Sequence, residues 1–253
     1  MLNYQRAGNG PTLVLLHGLF GSLENLNSIK RALEDSFDVL SLDLPDHGDS
    51  PRSERFSYAH YVQQVIELLD SLNIRQCSVL GHSMGGKVAM QLALHHPERV
   101  DKLLVADIAP VAYSARHDTV FDGLNAVELD GLKSRTQADK QMAEYIREPG
   151  VRQFLLKSLS KTDHGWQWKF NLPLLERDYK AITGWPETQR TFDGPTLFIK
   201  GGDSDYITAD HQGTIGDHFH AARGKILQGT GHWLHAEKPA AFNKIVQDFL
   251  DGD

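Results

Sequence analysis

Apolar residues gather in short runs along the first 107 positions. Four such runs, at residues 12–16, 39–42, 78–80 and 102–106, show little polar alternation. Strands covered by helices on both faces of a parallel sheet read this way, because neither face meets water. Between the runs the period changes. Tyr58, Tyr61, Val62, Val65, Ile66, Leu69 and Leu72 recur at steps of three and four after Ser57, which predicts an amphipathic helix with a serine N-cap. Val88, Ala89, Leu92 and Ala93 repeat the pattern and stop before Pro97, a helix terminator. The same alternation returns late in the chain. It predicts strands over 196–199 and 225–227, a helix over 208–219, and a last helix from Pro239 that presents Phe242, Ile245, Val246, Phe249 and Leu250 on one face. Strands separated by helices predict an α/β fold with a doubly wound, mostly parallel sheet.

Residues 108–190 break this rhythm. Helical patterns lie near 121–129, 137–146 and 151–159, no buried strand is evident, and three of the four tryptophans (Trp166, Trp168, Trp185) fall here. The prediction is a helical cap over residues 108–190, inserted into a core formed by 1–107 and 191–253.

Composition excludes several classes. With 40% hydrophobic residues and 22 glycines, the chain lies in the globular range rather than the disordered one. No apolar stretch reaches the 18 residues that suggest a membrane span. A net charge of −7 offers no general attraction to nucleic acid or anionic membrane. Cys77 is the single cysteine, so no intramolecular disulfide or cysteine-built zinc site forms. The first residues lack the apolar core of a signal peptide, and the expectation is a cytoplasmic protein. His218-x-His220 and His232-x-x-His235 have no supporting ligand cluster in sequence, so neither metal nor cofactor is expected.

The chemistry starts at Gly81-His82-Ser83-Met84-Gly85-Gly86, between a predicted strand and a predicted helix. A G-x-S-x-G string in that setting predicts a sharp turn that lifts the Ser83 hydroxyl above the sheet, with the helix N-terminus facing developing negative charge. A serine hydroxyl needs a base to attack at neutral pH, and the base needs a third group to orient it. Gly86 three residues on rules out a lysine base in an S-x-x-K arrangement. His232, in the loop after the last strand, is the candidate base: strand carboxyl ends are where α/β sheets carry chemistry, and it falls late, in the order Ser, Asp, His. An acyl-transfer intermediate also needs two donors for its oxyanion. The Met84 amide is one. The loop after the first clear strand, His17-Gly18-Leu19-Phe20, supplies the second from Leu19, with Phe20 next in line.

Together these residues resemble the α/β-hydrolase superfamily over nearly the whole chain. The landmarks are His17-Gly18, Asp43-Leu44-Pro45-Asp46-His47-Gly48-Asp49-Ser50, the Gly81 to Gly86 motif, Pro97-Glu98-Arg99-Val100, and Gly231-His232 followed by Glu237-Lys238-Pro239. More narrowly, HGLFGS, GHSMGGK and DIAPV are similar to small bacterial esterases of the YbfF type.

The acid departs from the pattern. Most members of that superfamily carry it shortly after the strand predicted at 196–199, where this chain has Ser204. A minority carry it at the end of the strand that follows the nucleophile's helix. Asp107 stands there, closing an apolar run, and an aspartate so placed is costly to bury without a partner. Asp107 is the expected acid, with Asp203 and Asp205 as alternatives. The resemblance implies a serine hydrolase of short or medium acyl esters, with acyl-CoA thioesters as a further candidate. The alternatives are a C–C bond hydrolase or perhydrolase of the same fold, and a hydrolase-like protein that binds a ligand with little turnover. Phe20, Tyr113, Arg116, Phe154, Trp166 and Trp233 are the candidate substrate contacts, with Leu155, Trp168 and His117 beside them.

Overall fold

The structure, a computed structural model, describes residues 1–252. In chain order these residues form β1 (Tyr4–Ala7), β2 (Thr12–Leu16), α1 (Asn27–Leu33), β3 (Asp38–Leu42), α2 (Tyr58–Ser71), β4 (Cys77–His82), α3 (Met84–His95) and β5 (Val100–Ala106). Then come α4 (Asp118–Asn125), α5 (Arg135–Met142), α6 (Pro149–Leu156), β6 (Leu159–Thr162), β7 (Gly165–Trp168), α7 (Leu172–Arg177) and α8 (Tyr179–Thr183). The chain ends with β8 (Thr196–Gly201), α9 (Gln212–His218), β9 (Ala222–Leu227), α10 (Leu234–Glu237) and α11 (Pro239–Asp251).

Seven strands form one sheet in the order β1-β3-β2-β4-β5-β8-β9. All neighbours are parallel except β1, which runs antiparallel to β3 at one edge. Side chains alternate between two cores, as the strand period requires. Val14, Leu16, Val79, Leu103 and Val105 pack with α2 and α3 on one face. Leu13, Leu15, Leu80, Leu104 and Ala106 pack with α1 and α11 on the other. This two-sided burial is why the strands read as unbroken apolar runs. Ser57 caps α2 by accepting from the His60 amide. The expected helix over 208–219 is instead a single 3-10 turn, Ala209–His211, followed by α9.

Two strand features depart from the sequence expectations. β1 is half exposed and polar, so it carries no apolar run. Residues 108–190 are not purely helical, because β6 and β7 pair there as an antiparallel hairpin. Each has four residues and a largely solvated face, and the hairpin turns through Asp163 and His164 into Gly165, φ 111°. Among the described residues, no helix is long and apolar enough to cross a membrane.

Two buried histidines hold the loop after β2. The Leu44 amide donates to His17 Nε2 at 3.0 Å, so His17 carries its proton on Nδ1, 2.8 Å from the Gly18 carbonyl. The Phe20 amide donates to His47 Nε2 at 3.2 Å, and His47 Nδ1 donates to the Pro45 carbonyl at 2.9 Å. Both rings are needed neutral, because each must accept at Nε2. Burial supplies that neutrality: it lowers the pKa of His17, and it holds His47 down to about 3, with the neighbouring His17 adding to the shift.

The unfolded imidazole takes a proton near pH 6.5, which the folded ring refuses until about pH 3. The stabilising effect is therefore complete above pH 6.5 and is lost as the pH falls from there towards 3. Urea unfolding midpoints should drop across that window. His47→Phe should cost about 1–3 kcal/mol at pH 7.5, because it strands the Phe20 amide, and should make the acid decline shallower than in wild type.

Candidate active site

Ser83 sits in the turn between β4 and α3 with φ 53° and ψ −121°, a conformation that strains a residue with a Cβ. The glycines two residues to either side permit it. A Cβ on Gly81 would lie 2.2 Å from the Gly85 carbonyl oxygen. One on Gly85 would lie 2.4 Å from the carbonyl oxygens of Leu16 and His17. The motif therefore packs β4, the start of α3 and the end of β2 at backbone distance.

Ser83 and His232, separated by 149 positions, meet above this edge. The Ser83 hydroxyl donates to His232 Nε2 at 2.9 Å. On the far side of the ring, His232 Nδ1 donates to Asp107 Oδ2 at 2.8 Å. Asp107 lies just past β5, fully buried, with φ 52°. Its Oδ1 accepts from the Gly201 amide at 2.9 Å, and its Oδ2 also accepts from the Ser204 hydroxyl. A carboxyl group met by three donors is fixed in direction.

The alternative acids point elsewhere. Asp205 is mostly exposed and accepts from Arg116 Nη1 at 2.6 Å. Asp203 contributes its amide to the Thr230 carbonyl. Neither makes a hydrogen bond with His232 among the described residues. Ser204, which stands where the resemblance led us to look for an acid, is a donor to Asp107. The serine-for-acid departure is the one signal in the sequence that points to this role.

The donor candidates also separate. The Phe20 amide is taken by His47, which removes Phe20 as the second-choice donor. Among the described residues, no protein acceptor pairs with the amides of Leu19 or Met84. Both residues line the recess around Ser83.

A cavity of about 370 Å³ opens beside Ser83 and His232. Leu19, Phe20, Arg116, Phe154, Leu155 and Trp233 line it, as does His117. Tyr113 faces an adjoining recess of about 40 Å³ together with Ser83, Met84, Lys87 and Arg116. Trp166 and Trp168 lie outside the cavity, contrary to expectation. Trp166 is half buried under the Arg135 guanidinium, 5.8 Å from its ring, and Trp168 stacks on Phe170 at 5.3 Å. Both rings secure the hairpin and its flanks. The cavity's apolar wall comes instead from Leu26, Val120, Ile146 and Val151, with Phe154 and Leu155.

Several histidines surround His232. The His82 Nε2 donates to the His232 carbonyl at 2.8 Å and its ring lies 4.5 Å from His235. Burial lowers His82 well below the usual imidazole range and holds His117 and His235 down to about 4, all three helped by the nearby His232. His218 and His220 lie apart, at the Arg190 carbonyl and Asp193. Lys87 is buried on α3, where desolvation lowers its pKa to about 7, and donates to the carbonyls of Thr183 and Gly184 at 2.8 Å each. His82, His235, Tyr206 and Lys87 were not singled out as site residues from sequence. His82 and Lys87 stand inside the serine motif GHSMGGK and His235 in the His232-x-x-His235 spacing, whereas Tyr206 carries no sequence signal.

A serine with a base on its hydroxyl, a carboxylate behind the base and two free amides beside it can carry out nucleophilic acyl transfer. The family described as alpha/beta hydrolase fold matches residues 11–239. The chain is 40% identical over 248 residues to Esterase YbfF of Escherichia coli (strain K12), covering 98% of this chain and 96% of that one. It is 39% identical over 248 residues to the sn-1-specific diacylglycerol lipase ABHD11 of Mus musculus, covering 95% and 81%. Among solved structures, a marine microorganism esterase superposes with a TM-score of 0.96 at 34% identity, covering 98% of both chains. On fold, motif and similarity together, the chain belongs to the alpha/beta hydrolase fold family.

Proposed function

We propose that this protein is a serine hydrolase of carboxylic esters that works through an acyl-enzyme on Ser83. The observation that carries the reading is the continuous bonded path from Ser83 Oγ through His232 to Asp107, placed beside the free Leu19 and Met84 amides. The names of the relatives, esterase and lipase, agree with it. Ser83 Oγ bonds to the ester carbonyl carbon while its proton passes to His232 Nε2. The two amides donate to the resulting oxyanion. When the intermediate collapses, the C–O bond to the alcohol breaks and His232 returns its proton to the departing oxygen. Water then enters by the same base, forms the second tetrahedral intermediate, and leaves the carboxylic acid with Ser83 restored.

The cavity supports a preference among acyl chains. Its volume and aliphatic wall suit a short or medium acyl chain, and residues 108–190 provide most of that wall through Val120, Ile146, Val151, Phe154 and Leu155. We read this segment as the substrate-selecting cap of a core built from 1–107 and 191–253. A thioester presents the same electrophilic carbonyl, so acyl-CoA substrates belong in the same panel. The reading requires no metal or cofactor.

Ser83→Ala should abolish hydrolysis of p-nitrophenyl acetate and butyrate. Turnover surviving in that variant, or failure of the wild type on every ester and thioester from two to twelve carbons, rejects the reading. Asp107→Asn should lower kcat by about 10³–10⁴, the scale seen when an orienting carboxylate is neutralised, while Asp205→Asn stays within about threefold of wild type. Full activity in Asp107→Asn would move the acid elsewhere. Val151→Trp, which fills cavity volume, should depress octanoate hydrolysis at least about tenfold and leave acetate nearly unchanged, since substrate discrimination of this kind is worth about 1–3 kcal/mol.

A further inference from the structure

The His232 ring does not lie against aliphatic groups alone. Tyr206 stacks on it with ring centroids 3.8 Å apart and planes 16° from parallel. Tyr206 is in turn tied to the acid's surroundings. Its amide donates to Ser204 Oγ at 3.2 Å, and the Ser204 hydroxyl donates to Asp107. Its carbonyl accepts from the Tyr113 hydroxyl at 2.6 Å. The same loop turn therefore places both the donor to the carboxylate and the aromatic face against the base.

We infer that Tyr206 is a positioning residue for His232: its π-face fixes the tilt of the imidazole and favours the imidazolium that forms during acyl transfer. The inference rests on the hydrolase reading above. An aromatic face attracts a cationic ring more strongly than a neutral one. Its contribution therefore grows as the proton leaves Ser83, and such a difference raises kcat rather than tightening substrate binding. Stacking also limits rotation about the bond to the ring, which keeps Nδ1 on Asp107 and Nε2 on Ser83.

The other charges near His232 bear on this balance. Asp107 favours the imidazolium. His82, His117 and His235 are neutral at working pH, so they neither add to nor oppose it directly. The Arg116 guanidinium lies 4.7 Å from the Tyr206 ring centre and would compete for the same π-electrons. Asp205 holds that guanidinium at 2.6 Å and offsets its charge.

Tyr206→Leu removes the face, and Tyr206→Phe keeps it while dropping the hydroxyl. In Tyr206→Leu, kcat for p-nitrophenyl butyrate should fall roughly 5- to 30-fold with KM changed less than about twofold. The His232 ring, followed by NMR titration, should lose its proton at a pH lower by about half a unit to one unit. Tyr206→Phe should stay close to wild type in both. The titration needs no turnover. If the shift appears and the wild type cleaves no ester, the esterase reading fails and the stacking role stands. If Tyr206→Leu keeps its kcat, or loses it with the titration unmoved, the inference is overturned. It is overturned equally if Tyr206→Phe falls as far as Tyr206→Leu.

Discussion

A carboxylate with no solvent contact, Asp107, is the constraint on which the site depends. An ionised group in that position is expensive unless donors replace the water it has lost. Its three donors come from three places: the end of β8 through Gly201, the following turn through Ser204, and the loop after β9 through His232. Each must be in register for the charge to be tolerated. Asp107 thus gathers β5, β8 and the histidine loop into one arrangement, and the direction of the His232 ring follows from it.

Backbone strain marks the same edge of the sheet. Phe20, Ser83 and Asp107 follow three neighbouring strands, β2, β4 and β5, and all have positive φ, at 62°, 53° and 52°. Non-glycine residues adopt that region only when surrounding packing over-determines it. Here the packing consists of the backbone approach at Gly81 and Gly85, the His47 acceptor on the Phe20 amide, and the donors on Asp107. The neutral state of His17 and His47 is part of that support, because a protonated ring could not accept at Nε2. The strain is thus supported jointly by the close backbone approach at Gly81 and Gly85 and by a buried polar network.

The five central strands of the sheet were legible because both of their faces are dry. Apolar runs at β2, β3, β4, β5 and β8 name their own strands. β1 and the β6–β7 hairpin were not legible, since a solvated strand of four residues shares its composition with a loop. The serine motif and the late histidine were legible from their settings between strand and helix. Asp107 was legible mainly through what was missing at Ser204, together with the cost of ending an apolar run on a charge. The tryptophans misled for a physical reason. A large aromatic residue signals burial but not the direction it faces, and the Trp166 and Trp168 rings secure the hairpin while smaller aliphatic side chains line the cavity. Contacts made across the fold, such as Tyr206 on His232, leave no periodic trace in the chain.

The crowd of imidazoles around His232 follows from the same electrostatics. His82 and His235 are buried away from any carboxylate, and His117 is half-buried with Asp118 only partly offsetting its desolvation, so each stays neutral far below the pH at which a free imidazole would charge. His232 alone among these four has an aspartate on one nitrogen and a serine hydroxyl on the other. Of the four rings, His232 is the one within hydrogen-bond reach of the Ser83 hydroxyl. His82 serves that site through its neutral N–H, which donates to the His232 carbonyl and ties the histidine loop to the residue before the nucleophile. Neutral rings can fill space and donate hydrogen bonds around the Ser83–His232–Asp107 chain without adding charge beside it, a combination that lysine, arginine or a solvated histidine could not provide at the same positions.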